Sequence, residues 1–422
     1  MRSRIEALDV LRGVAVLGIL LMNIQQMGRP YFLGRPDPPV ALNADWIVFM
    51  VQDVLLSGAM RGLFTLLFGA GMALMLQDAD KAGRGERVQA FATRAFALMA
   101  LGVASFAVLL WPGEILFDYG VCGLVLLLFR AANPRLLGSA ALVILLVVSL
   151  IEGAPGLTRA GALRAGETAL AIQTQGRPVT LDQAAAIFAR EDIVSNQIVT
   201  APERQAERQA RTHFPQAVTW SLQRWIASNI SWQGVLHKLR SLAFMLIGMA
   251  LLANGVLTAE RSLRFYAGLA AGGYALGATA RGALAGIGWH HGFVPDPTSA
   301  AWQGFVSEGA RLSITLGLTG LVLLAFKLGL PRVLGVTLGA VGRLALTNYM
   351  AQSAIALLVF MGLGLFDRLG FAELAALAGV IWLGQGLASV LWLRVFETGP
   401  LEWILRRWAY GPRCAQVRTL KP

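Results

Sequence analysis

Ten stretches of about twenty mostly apolar residues recur along the chain. They lie near 8–27, 57–77, 91–110, 114–131, 134–152, 238–257, 265–286, 304–326, 343–365 and 373–394. A helix of that length crosses the hydrocarbon core of a bilayer, and shorter runs manage it when their ends snorkel. Of the 422 residues, 56% are hydrophobic and 14% charged. Soluble domains carry about 25% charged residues. Soluble multidomain, disordered and fibrous chains are therefore excluded, and the expectation is an all-α polytopic integral membrane protein. It has about ten spans, nine to eleven, because 44–59 is apolar but interrupted by Asp53 and reads either as an interfacial or re-entrant helix or as a span. The expected organisation is a bundle of about five spans over 1–152, a partly helical outer segment over 153–233, a second bundle of about five over 234–396, and a basic tail over 397–422.

The chain carries 36 Lys and Arg against 24 Asp and Glu, a net +12. In a soluble protein that excess suggests nucleic acid. Here it is distributed by side. Twenty of the 36 bases fall on one face of the ten-span arrangement, from Arg2, Arg4 and Arg12 through Lys81–Arg94 to Arg413, Arg418 and Lys421, with only eight acids beside them. That is the positive-inside pattern, so both termini are expected in the cytoplasm and no nucleic-acid partner is needed. Met1–Leu21 is basic and then apolar, but Asp9 and Arg12 interrupt it and no small-residue cleavage site follows, so it reads as a retained first span. Cys122 within a span and Cys414 in the tail do not suit a bridge, and no Cys or His spacing points to a metal.

The segment from Gly153 to Gln233 is the one sizeable piece outside the apolar runs, with eight Arg and six acids. Leu181–Ser195 and Pro202–Ile226 look helical, the latter amphipathic with tryptophans suited to an interface. It reads as a solvated cap or as a lid over an outward-opening site.

Ionisable residues inside spans cost at least about 2.5 kcal/mol each, so they mark where function is to be sought. In the first run, eleven residues separate Arg12 from Asn23. Eleven residues turn a helix through about 1100°, within about 20° of three full turns, so the two share a face. Asp9 and Arg12 also suit an interfacial ion pair, and Asn23 an interhelical hydrogen bond. Glu114 and Asp118 stand one turn apart at the outer end of a span, where facing carboxylates would raise one pKa and make a base. Two separately satisfied helix-terminal acids are the alternative. Among the histidines, His237 beside Lys238 and Arg240, and His290 in a short outer loop with His291, are the candidates for a base; His213 reads as solvated. Glu308 and Arg311 can pair at i and i+3. Asn348 and Gln352 share a face near Arg343, Tyr349 and Ser353, which suggests a ligand cavity.

The run LDVLRGVAVLGILLMN (Leu8–Asn23) resembles the opening of membrane-embedded acyltransferases, whose first helix reads L-D-x-x-R-G followed by a polar residue. It is most similar to the YeiB-like bacterial family, a domain of unknown function (418), and to the related heparan-alpha-glucosaminide N-acetyltransferase type. The similarity continues through LFTLLFGAGMAL (Leu63–Leu74), LLWPGEIL (Leu109–Leu116), LIGMALLANG (Leu246–Gly255), GRLALTNYMAQS (Gly342–Ser353) and GPLEWILRRWAYG (Gly399–Gly411). Two positions depart from the pattern. Ser105 and Phe106 stand where relatives commonly carry a His, and Glu114 stands where relatives have Asp.

The resemblance implies a bacterial inner-membrane acyltransferase with acyl-CoA or acetyl-CoA as donor and no metal. In that reading Arg12, with Arg94 or Arg343, holds the donor phosphates. Asn23 polarises the thioester carbonyl, and His237, His290 or the Glu114–Asp118 pair activates an acceptor hydroxyl or amine. Asp9, Glu308, Arg311, Asn348, Tyr349 and Gln352 are the expected substrate contacts. Membrane lipids and a second copy of the chain, as a homodimer, are the expected partners. A transporter or flippase of a small or lipid-linked molecule, or a non-catalytic membrane component, are the alternatives.

Overall fold

A computed structural model describes residues 6–31, 34–76, 84–196 and 199–410. Several residues used for orientation (Arg2, Arg4, Lys81, Arg413, Arg418 and Lys421) and Cys414 lie outside them. The described residues form sixteen α-helices and no β-strand. These are α1 (Glu6–Gly28), α2 (Ala44–Val51), α3 (Ala59–Leu76), α4 (Arg84–Val108), α5 (Leu116–Leu126), α6 (Pro134–Thr174), α7 (Leu181–Ser195) and α8 (Ala201–Thr212). The second half holds α9 (Phe214–Asn229), α10 (Trp232–Ala253), α11 (Leu263–His290), α12 (Pro297–Gly329), α13 (Arg332–Arg343), α14 (Ala345–Leu357), α15 (Phe371–Val395) and α16 (Pro400–Tyr410).

All ten apolar runs fall on helices: α1, α3, α4, α5, α6, α10, α11, α12, α14 and α15. Eight helical stretches among the described residues are long and apolar enough to cross a membrane. The segment left open at 44–59 joins α3 to make one of them, Ala44–Leu76, through a π-helical turn at Gln52–Leu56 and a break at Ser57–Gly58. Leu116–Phe129 is apolar but shorter. The outer faces are apolar, as the exposed Leu142, Val143, Leu146 and Leu150 of α6 and Val380, Leu383 and Leu387 of α15 show. Exposed side chains of that kind suit lipid, and helices keep their backbone groups satisfied there. The protein is an all-α polytopic membrane protein.

α3 sits at the centre, packed by α1, α4, α5, α10 and α12. It meets α10 backbone to backbone. A Cβ on Gly69 would collide with the Met245 carbonyl, and one on Gly248 with that of Leu66. α1 and α13 cross equally closely, since a Cβ on Gly342 would strike the Asp9 carbonyl and one on Gly13 that of Leu338. Small residues at such crossings let helix backbones approach.

Beyond the apolar runs the structure corrects three expectations. The span expected to end at 152 continues as α6 to Thr174, 41 residues in all, so the outer segment begins as helix. Pro155 lies within it, and the loss of one N–H did not end a helix whose neighbours still pack on it. The helical stretch expected over Pro202–Ile226 is two helices. His213 leaves the helical region at φ −118° and ψ 125°, and Pro215 opens α9, where a missing N–H costs nothing. Third, of the tryptophans suited to an interface, Trp225 turns into the protein while Trp232 stays exposed. Arg211 stacks over the Trp220 ring at 4.6 Å, and Trp225 is buried against Phe106 with ring centroids 4.5 Å apart.

Helices α7 to α9 form a cap tied down by ions. Arg211 of α8 donates to the carbonyls of Gln26, Met27 and Arg29 at the end of α1 and pairs with Glu207 at 3.2 Å. Burial pushes the Arg211 guanidinium down to about 10, against the pull of Glu207. Arg204 makes a two-pronged bond to Asp367 at 2.8 and 2.9 Å.

Candidate functional site

At the end of the bundle that holds the start of α1 and the whole of α16 lies a cavity of about 590 Å³. Pockets that hold small molecules and cofactors run from about 300 to 1,000 Å³. Its mouth carries Arg12 and Asp9 of α1, Arg94 of α4, Arg343 of α13, and Glu402 and Arg406 of α16. Its deep wall is Phe64 and Phe68 of α3 with Leu116 and Tyr119 of α5. The cavity is thus cationic at one end and apolar at the other.

The sequence explains how the mouth is held. The Gly13 and Gly342 crossing brings Arg12 and Arg343 to one rim. Arg343 donates to the Glu397 carbonyl at 2.9 Å, and Glu402 accepts from the first-turn N–H groups of Leu346 and Thr347 at 2.7 and 3.1 Å. A carboxylate is well placed at those orphan donors. Arg12 lies 3.4 Å from Asp9, so the ion pair that their spacing allows is formed.

The deep wall is aromatic. The rings of Phe64 and Tyr119 stack with centroids 5.8 Å apart, and Tyr349 stacks on the same Phe64 at 6.3 Å. The Tyr119 hydroxyl is bonded to that of Thr65, and the Tyr349 hydroxyl accepts from the Ile115 N–H at 3.3 Å.

On the far side of this wall, toward the cap, is a cluster of charges. Asp118 of α5 lies 3.3 Å from Arg61 of α3 and 3.0 Å from Lys238 of α10. Glu308 of α12, 0% exposed, accepts from both Arg240 and Arg311 at 2.7 Å. Arg240 also holds Glu152 of α6 at 2.7 Å, and Arg281 of α11 lies 3.7 Å from Asp53. His237 stands within the electrostatic reach of Arg61, Arg240, Arg311 and Lys238. Six helices contribute, so paired charges are shielded from lipid as intramembrane ions must be.

Of the residues picked from the sequence, Asp9, Arg12, Arg94 and Arg343 meet in the cavity. His237, Asp118, Glu308 and Arg311 meet in the cluster, and the Glu308–Arg311 pair forms as the spacing implied. Glu114 and Asp118 are not a facing pair. Glu114 precedes α5 and accepts from the N–H groups of Leu116 and Phe117 at 2.7 and 3.0 Å and from the Trp225 indole at 3.0 Å, while Asp118 is taken by the two cations. Helix N-termini claim nearby acids.

Asn348 and Gln352 are buried, and the expected ligand face is a helix–helix seam. Asn348 donates to Ser389 at 3.0 Å, Gln352 to Gln385 and to the Val16 carbonyl at 3.1 Å, and Gln385 to the Asn348 carbonyl at 2.9 Å. Such bonds join helices in lipid. Asn23 is half-buried on α1 and makes no side-chain hydrogen bond among those described. His290 ends α11 and is exposed. Ser105 and Phe106 lie in the buried seam between α4 and the cap, where the Phe106 carbonyl accepts from Ser221 at 3.2 Å.

Arg61, Glu152, Lys238, Arg240 and Arg281 were not singled out from the sequence. Arg61 and Arg281 did leave a signal, a charge within an otherwise apolar run. Glu152 and Arg240 sit near run ends, where charge reads as snorkelling.

Residues 251–412 match the family described as a protein of unknown function (DUF418). The uncharacterized protein YeiB of Escherichia coli (strain K12) is 29% identical, covering 96% of both chains. The uncharacterized protein YxaH of Bacillus subtilis (strain 168) is 27% identical, over 97% of this chain and 94% of its own. An uncharacterized 39.9 kDa protein from the amylase 3′ region of Bacillus acidopullulyticus is 24% identical over 97% of this chain and 94% of its own. No solved structure matches. With relatives aligned from end to end and the DUF418 family model fitting its C-terminal part, the chain is similar over its whole length to the YeiB-like proteins.

Proposed function

We propose that the protein is an acyltransferase of a bacterial cytoplasmic membrane, with the 590 Å³ cavity facing the cytoplasm. One observation carries the reading. The cavity and the charged cluster approach each other across a single aromatic layer, since Tyr119 lines the one and Asp118, its neighbour in sequence, belongs to the other. An amphipathic anionic donor of the acyl-CoA type matches a cationic mouth and an apolar depth, and guanidinium groups hold phosphates well. An acceptor hydroxyl or amine entering from the cap side meets the thioester at the aromatic layer. A base of the cluster, with His237 the candidate tested below, takes its proton as the oxygen or nitrogen bonds to the carbonyl carbon, the carbon–sulfur bond breaks, and the thiolate leaves toward the cytoplasm and is protonated there.

The test is binding of labelled acetyl-CoA and palmitoyl-CoA by the detergent-purified protein. Arg12→Gln and Arg94→Gln should each weaken binding about tenfold, the scale of one lost charge-assisted contact. No donor binding by the wild type, together with substrate counterflow in proteoliposomes, would replace this reading with transport. The break of the Ala44–Leu76 stretch at Ser57–Gly58 is the feature that favours that second reading, because discontinuous helices build transporter sites.

A further inference from the structure

Charge is not balanced evenly through the cluster. Glu308 and Glu152 together match Arg240 and Arg311, and Asp53 matches Arg281. Asp118 is a single carboxylate between two cations, Arg61 and Lys238. Two cations therefore share one carboxylate at this triad, and the nearby Glu114 is engaged by the N–H groups of Leu116, Phe117 and Trp225. The two cations are not equally committed. Lys238 also donates to the Asn229 carbonyl at 3.0 Å and reaches its side-chain oxygen at 3.4 Å. Arg61 makes one side-chain hydrogen bond among those described, from Nη2 to Asp118 at 3.3 Å. A guanidinium has five N–H donors.

The exposure of Arg61 locates the opening. Its side chain is 42% exposed, against 8% for Asp118. Although α3 is packed by α1, α4, α5, α10 and α12, the Arg61 guanidinium stays accessible, which makes it the reachable cation of the triad. An unmatched cation there is costly unless a counter-ion completes it.

We infer that the Arg61–Asp118–Lys238 triad is a binding site for a singly charged oxyanion, a phosphodiester or carboxylate, with Arg61 as its anchor. A planar fork with donors to spare suits two oxygens of one such group. Naming this ligand as the acceptor rests on the acyl-transfer reading; the anion site itself does not.

The experiment is thermal unfolding of the purified full-length protein, without donor, titrated with three probes. Glycerophosphoglycerol presents a soluble phosphodiester, glucuronate a soluble carboxylate, and phosphatidylglycerol nanodiscs set against phosphatidylcholine ones a lipid headgroup. At least one probe should raise Tm with saturation, and the arm that does so names the source. Arg61→Gln should weaken that binding about tenfold, Arg61→Lys should retain part of it, and the exposed Arg159→Gln should leave it unchanged. Asp118→Asn removes the acid that competes for Arg61 and should tighten binding, an effect that loss of structure does not produce. The inference is overturned if no probe shifts the wild-type Tm, or if Arg61→Gln, folded, binds as well as the wild type, or if Asp118→Asn weakens binding. Failure of acyl-CoA binding beside success here would remove the enzyme reading and leave the anion site standing.

Discussion

Asp118 and Tyr119 are consecutive on α5 yet serve opposite sides of the bundle's central partition: the carboxylate is held by Arg61 and Lys238, while the ring walls the cavity. On a helix, neighbours in sequence point about 100° apart, so one turn of α5 addresses both compartments. Their substitutions should differ in kind. Asp118→Asn strands two cations. Breaking a fully buried pair costs 3–5 kcal/mol, and the solvent at Arg61 reduces the expected loss here to about 1–3 kcal/mol. Tyr119→Phe forfeits the bond to Thr65 and should cost about 1 kcal/mol. Thermal unfolding in one detergent compares them, and a smaller loss for Asp118→Asn than for Tyr119→Phe would contradict the assignment of charge to one side.

The close crossing of α1 and α13 should be intolerant at one glycine and indifferent at another. Gly342→Ala forces a methyl into the Asp9 carbonyl and should cost about 1–3 kcal/mol. On the same helix Gly339 faces open space, so Gly339→Ala should be neutral or stabilising by up to about 1 kcal/mol. Loss of folded yield for Gly342→Ala alone is the expected readout.

For the proton acceptor, the geometry separates the two histidines. His237→Gln should reduce acyl transfer by about 10²–10⁴-fold with donor binding intact, the range for losing a general base. The exposed His290→Gln should transfer at the wild-type rate. Unchanged turnover in His237→Gln would move the base to another group.

The ionic strap of the cap is testable without any substrate. Glu207→Gln leaves the buried Arg211 without its counter-charge, and about 3 kcal/mol should be lost from the docking of α8. Limited trypsin digestion should then cut at Arg204 or Arg208 at a protease concentration that spares the wild type. An unaltered digestion pattern would show that the bonds from Arg211 to the end of α1 suffice.

The sequence made the apolar runs and the in-helix pairs legible because each is a local pattern. Glu308 and Arg311 meet because three residues bring side chains onto one face. Partners on different helices left no such trace: nothing in the order of residues ties Arg61 to Asp118, or Arg240 to Glu152. The same limit misread Asn348 and Gln352, whose polarity signalled a buried partner without saying whether it was ligand or helix. Glu114 was misread for another reason. Its place at a helix end allowed both a facing pair and an end cap, and α5, beginning at Leu116, uses the acid as its end cap.

α6 has a consequence for how this architecture can change over time. At about 1.5 Å per residue its 41 residues reach about 60 Å, twice the hydrocarbon thickness, and α7 is docked on the distal part through Gly166 and Arg190. The outer assembly is therefore clocked to the bundle by a rigid shaft. Adding one residue near Thr158 would swing everything beyond it by about 100°, and adding seven would nearly restore the bearing but raise it about 10 Å, so either change tears Arg211 from α1. The shaft thus fixes the cap in bearing and in height together, and the cap can drift in sequence far more freely than in position.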